Sequence, residues 1–141
     1  MHLVKIDKER PDFRAFIDLL FGRGWNVDTE GNSHPVNSCT WTSLYIADRT
    51  RDRATVTIEA SEGDPHLFQV DSASARPEKL AALYLFLCSG SAIVTPEGSL
   101  DGAQRLALQV NYTAELRRAA EAQWHHSSDS NPYPNLTAIR R

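Results

Sequence analysis

The sequence lacks a cysteine framework, a glycine-rich phosphate loop and an apolar run long enough to span a membrane. Each absence removes a class of protein. Its two cysteines, Cys39 and Cys88, could form at most one disulfide, and a chain of 141 residues buries roughly 68–70% of its unfolded surface without such help. There is no Cys-x-x-Cys pair, so the close ligand pairs of a structural zinc site are missing. His125 and His126 are adjacent, and on a helix their imidazoles would point about 100° apart, which does not suit a chelate. The seven glycines form neither G-x-x-x-x-G-K nor G-x-G-x-x-G, the two patterns that cradle phosphates. No metal and no cofactor are expected.

The longest apolar stretch, Leu80 to Cys88, is interrupted by Ser89-Gly90-Ser91 before Ala92, Ile93 and Val94, and a membrane span needs roughly twenty apolar residues. The opening residues Met1 to Asp7 carry no signal-peptide pattern. A cytoplasmic location is expected, without membrane contact. A formal charge of −3 generates no strong field of either sign, which makes nucleic acid an unlikely partner. Twelve Arg against three Lys favours bidentate and interface contacts.

What is present reads as one globular domain over 1–126 with a polar tail over 127–141. Apolar content is 41% and charged content 23%, both ordinary for a soluble protein. Leu80 to Cys88 is apolar on every side of a helical wheel and has no β-branched residue. That composition predicts a helix buried all round, with Cys88 as a core thiol. Pro77 suits its first turn, Ser72 or Ser74 could cap it, and Glu78 sits near the positive end of its dipole. In Pro11 to Phe21, the residues Phe13, Phe16, Ile17 and Leu20 follow helical spacing, giving a first helix to cover one flank of the central one.

Leu3 to Ile6 alternates as a short edge strand would. Trp25 to Ser38 is rich in turn formers and reads as a long loop, the kind of segment that often carries function. Three alternating segments follow, Thr40 to Ala47, Arg53 to Ala60 and His66 to Asp71. They predict an antiparallel meander. One face, Leu44, Ile46, Val56, Ile58, Phe68 and Val70, belongs on the central helix. The other face joins Trp41, Tyr45 and Leu67 to Thr55, Thr57, Glu59 and Gln69, an aromatic pair on a sheet surface that water would otherwise cover. From Leu100 to about Trp124 the spacing predicts a long helix capped by Ser99, with Leu106, Val110, Tyr112, Leu116, Ala120 and Trp124 as its apolar arc. Arg105, Gln109 and Arg117 intrude on that arc. At nearly 38 Å such a helix would outgrow the domain, so a break near 111–113 or a projecting end is expected. The tail offers Tyr133, Leu136 and Ile139 as anchors.

The fold class expected is therefore α+β: a three-stranded antiparallel meander, with a possible short N-terminal edge strand, packed on a buried central helix and flanked by an N-terminal and a long C-terminal helix. Chemistry is barely signalled. Cys39 with His34 or His66 and an acid such as Asp64 is a conceivable nucleophile and base, but five His and ten Asp allow such sets by chance. The expectation is a non-catalytic protein acting through a protein partner or by self-association, possibly as a homodimer. Its class would be a regulator, an inhibitor or immunity-type protein, or an accessory protein of a phage or mobile element. Trp41, Tyr45 and Leu67, with Arg51 and Arg53, are the candidate partner-binding residues. The alternative is a small enzyme or ligand-binding domain built on the loop around His34 and Cys39.

Overall fold

The computed structural model describes residues 1–11, 13–21, 27–31, 39–48 and 55–120. These form a mixed α+β domain with helices α1 (Phe13–Phe21), α2 (Ala75–Ser89), α3 (Gly102–Asn111) and α4 (Thr113–Ala120). The strands are β1 (His2–Ile6), β2 (Val27–Gly31), β3 (Ser43–Asp48), β4 (Thr55–Ser61), β5 (Asp64–Ser72), β6 (Gly90–Thr95) and β7 (Gly98–Ser99). All pairings are antiparallel, in the order β2-β3-β4-β5-β1-β6-β7. The predicted meander is its β3-β4-β5 centre, but the sheet is more than twice as wide.

Three strands account for the added width. β1 is not at an edge: it lies between β5 and β6, with Val4 opposite Phe68 on one side and Ile93 on the other. Its alternation puts Val4 and Ile6 in the core, but four residues of pattern do not say how many neighbours a strand has. β2 lies inside the stretch read as a loop and pairs with β3. β6 begins at Gly90, where α2 ends directly in extended backbone. A Cβ on Gly90 would come within 2.8 Å of the Lys5 carbonyl oxygen and 2.9 Å of Phe86 Cα, so only glycine lets helix, β1 and β6 meet this closely.

The core lies between the sheet and α1 and α2. Leu44, Ile46, Val56, Ile58, Phe68 and Val70 are all buried, the six residues that the alternation assigned to one face. α2 rests on β1, β4, β5 and β6 and touches α1, where Phe16 meets Tyr84 edge-on at 5.2 Å. Leu80 through Leu83 and Leu85 are fully buried. The expectation of burial on every side fails in the last turn: Leu87 is 40% exposed and Cys88 is at the surface. The sheet covers one side of a helix, and the flanking helices do not reach round its end.

At the start of α2, Glu78 is held by three groups. His2 Nδ1 lies 2.6 Å from its carboxylate, the Met1 amine 3.2 Å, and the Ser72 amide donates to it at 3.3 Å. Burial alone would raise the pKa of this carboxyl, but those three contacts outweigh it and hold the pKa below the usual value. α4 packs on α1, where Arg118 donates to the carbonyl oxygens of Asp18 and Leu19. This guanidinium stabilises the carbonyl end of α1.

The predicted long helix is two. α3 ends at Asn111, Tyr112 leaves the helical path and α4 resumes at Thr113. Asp101, not Ser99, caps α3, in a capping box where Gln104 N–H donates to its carboxylate at 2.8 Å and the Gln104 side chain accepts from its N–H. Among the described residues no helix is long and apolar enough to cross a membrane.

Candidate functional site

Of the residues expected to meet a partner, Trp41 is in the wrong place. Its side chain is 1% exposed, packed edge-on against Phe16 at 6.1 Å and Phe68 at 5.9 Å, and its indole N–H donates to the Pro11 carbonyl at 2.9 Å. The alternation was extended two residues too far toward the N-terminus. The β3 strand begins at Ser43, so Trp41 precedes it and folds to the helical side.

Arg10 completes this corner. Its Nε donates to the Trp41 carbonyl and its backbone N–H to the Cys39 carbonyl, both at 2.9 Å, and its guanidinium lies 5.2 Å from the Phe68 ring centre. Burial pushes the Arg10 pKa down, while the charges of Cys39 and Glu9 oppose that shift. Cys39 is half-buried here, with an arginine as its charged neighbour. His66 is exposed near the start of β5, and its backbone N–H donates to the Asp64 carboxylate at 2.9 Å. That carboxylate therefore serves the strand start. His34, Arg51 and Arg53 lie outside the described residues, as do Trp25 and the tail over 127–141.

Tyr45 and Leu67 do share the sheet face away from the helices, but they are not neighbours. Tyr45 stands opposite Thr57, which stands opposite Asp71; Leu67 stands opposite Lys5, which stands opposite Ala92. Between them runs a row of Ser43, Glu59, Gln69, Leu3 and Val94. Directly opposed side chains on a sheet lie about 5 Å apart, and diagonal neighbours remain within reach. The apolar concentration on this face is therefore Leu3, Val94, Leu67 and Ala92, over β5, β1 and β6, with the exposed Lys5 among them and the exposed Glu59 and Asp71 to one side. Tyr45 is a second, smaller apolar point across the polar strip.

Sequence reasoning missed Leu3, Ala92 and Val94 because it put β1 at an edge and did not recognise β6 as a strand. Once the strand order is known, the alternation in Leu3-Val4-Lys5 and Ala92-Ile93-Val94 assigns these residues without further data. A second apolar surface lies on α3, none of whose residues is buried; Leu106 is 59% and Val110 69% exposed. Among the described residues no cluster of three or more His, Cys, Asp or Glu could hold a metal ion. The chain matches no protein-family model, no curated protein and no solved structure.

Proposed function

We propose that this protein works in the cytoplasm by non-catalytic contact with another protein, through the sheet face turned away from its helices. As a class it fits a small regulator, an inhibitor or immunity-type protein, or an accessory protein of a phage or mobile element. The observation that carries this reading is the cluster of Leu3, Leu67, Ala92 and Val94 on a face where no described helix packs, with Lys5, Glu59 and Asp71 exposed around it. An apolar centre with a charged rim is the usual anatomy of a protein interface. Two acids beside one lysine suit a protein partner better than a phosphate backbone, which would need an excess of cations.

The test compares the wild type with a Leu67→Ser, Val94→Ser variant, both immobilised and exposed to extract of the encoding organism, followed by binding measurements with each purified candidate. A partner that binds the wild type in purified form and is lost by the variant supports the reading. Identical partners and affinities for the two proteins overturn it. Both residues are only half-buried, so the variant is expected to stay folded.

A further inference from the structure

α3 is amphipathic with its polarity inverted. At 100° per residue, Ala103, Leu106, Ala107 and Val110 fall within about 100° of arc, and all four are exposed. The opposite, half-buried side carries Arg105, Leu108 and Gln109. Arg105 is the sole charged residue among Gly102–Asn111, and it is turned inward: its guanidinium lies 5.0 Å from the Phe86 ring centre and donates to the Leu100 carbonyl at 2.8 Å. The outward face of this helix is thus apolar and uncharged, in a protein with 23% charged residues. Single exposed apolar residues are commonplace, but an entire outward helical face is not.

We infer that this face is the contact between two copies of the chain, with α3 packed antiparallel against its symmetry mate. The pattern Ala103, Leu106, Ala107, Val110 has large and small side chains exchanged about a point between Leu106 and Ala107. A two-fold axis through that point sets Leu106 of one copy opposite Ala107 of the other, and Val110 opposite Ala103. Every large side chain then meets a small one, as close packing of two helices requires. The same axis sets Gln104 opposite Gln109, two amides that can each donate and accept. A self-complementary patch is what a two-fold homodimer demands, and with Arg105 held inward the two copies bring no like charges together. One pair of three-turn helices lies at the small end of interface sizes, below roughly 1,200 Å², so the dimer exchanges with monomer in the micromolar range.

This contact is separate from the sheet face and stands or falls independently of the proposed function. Sedimentation equilibrium of the full chain from micromolar to submillimolar concentration tests it. The apparent mass is expected to rise from 15.8 kDa toward twice that value. A Leu106→Glu, Val110→Glu variant places like charges across the axis and is expected to weaken association by about a hundredfold or more, the scale of losing central interface residues. Its far-UV circular dichroism should be unchanged, because both side chains are in the open. The Leu67→Ser, Val94→Ser variant should dimerise like the wild type. In a Cys88→Ser background, Ala103→Cys with Val110→Cys should cross-link into a covalent dimer on mild oxidation, and Ala103→Cys alone should cross-link far less. A wild type that stays monomeric throughout, as when residues 121–141 of the same chain cover the face, overturns the inference. So does a dimer that survives the double Glu substitution.

Discussion

α2 and α3 are joined by a short β-hairpin and touch each other, yet they relate to water in opposite ways. α2 has apolar residues around most of its circumference and buries Leu80 to Leu83 and Leu85 completely. α3 has a clear apolar stripe and buries nothing. Hydrophobic periodicity locates a stripe on a helix and says nothing about what faces it. In α3, inward contacts are made by the stem of Arg105 against Phe86, by the partly buried Leu108 and by the hinge at Tyr112, and these turn Leu106 and Val110 outward. Long polar side chains can line a core's edge with their stems, so the polar side of a helix need not be its wet side.

The sharpest way to break this comparison is to remove the same side chain from each helix. Leu83→Ala in α2 empties a fully buried site and should cost about 2–5 kcal/mol of unfolding free energy. Leu106→Ala in α3 should change the stability of the monomer by less than about 0.5 kcal/mol. Urea denaturation at low protein concentration measures both, and equal losses would refute the inverted orientation of α3. Gly90→Ala probes the junction where α2 hands over to β6. Its Cβ would meet backbone on two sides, and overpacking of that kind costs about 1–3 kcal/mol, read as a lower urea midpoint at unchanged slope.

Glu78 supplies a pH dependence at the opposite end of α2. Its pKa in the folded protein is below the unfolded value, so the stabilisation is present above the unfolded carboxylate pKa and is lost as pH falls through the folded one. Glu78→Gln should lower stability at neutral pH by roughly 1–2 kcal/mol, the scale of charge-assisted hydrogen bonds. The gap to wild type should narrow below about pH 4. A gap of the same size at pH 7 and pH 3 would show that the carboxylate charge is irrelevant to the fold.

Local pattern made much of this architecture legible. The α1 stripe, the core face of the β3-β4-β5 meander and the helical run at Leu80 are all where periodicity places them, because each is set by neighbours one or two turns or one hairpin away. What pattern could not convey was partnership across the chain. β1 meets residues more than sixty positions away, and no property of Leu3 to Ile6 encodes that. Trp41 reads as the outer member of a strand until the strand's start at Ser43 is known, and Cys88 reads as core until the reach of α1 and α4 is known. The candidate binding face shares this limit. Tyr45 and Leu67 were found by alternation, whereas Leu3, Ala92 and Val94 became visible only with the strand order.

The place of β1 also orders events in time. β5 and β6 both run antiparallel to β1, so they are parallel to each other, and α2 is the crossover that carries the chain from one to the other. β1 fills the slot between them. During synthesis it leaves the ribosome before either neighbour exists, and its second neighbour is complete only once Thr95 has been added. Until then its hydrogen-bonding edges and the apolar side chains of Val4 and Ile6 have no permanent place. Pairings of such long range slow folding because loop closure comes before any contact rewards it. The nascent chain is consequently most open to mispairing between the emergence of β3 and that of β6, and the slot closes when β6 docks against a strand that has waited longest.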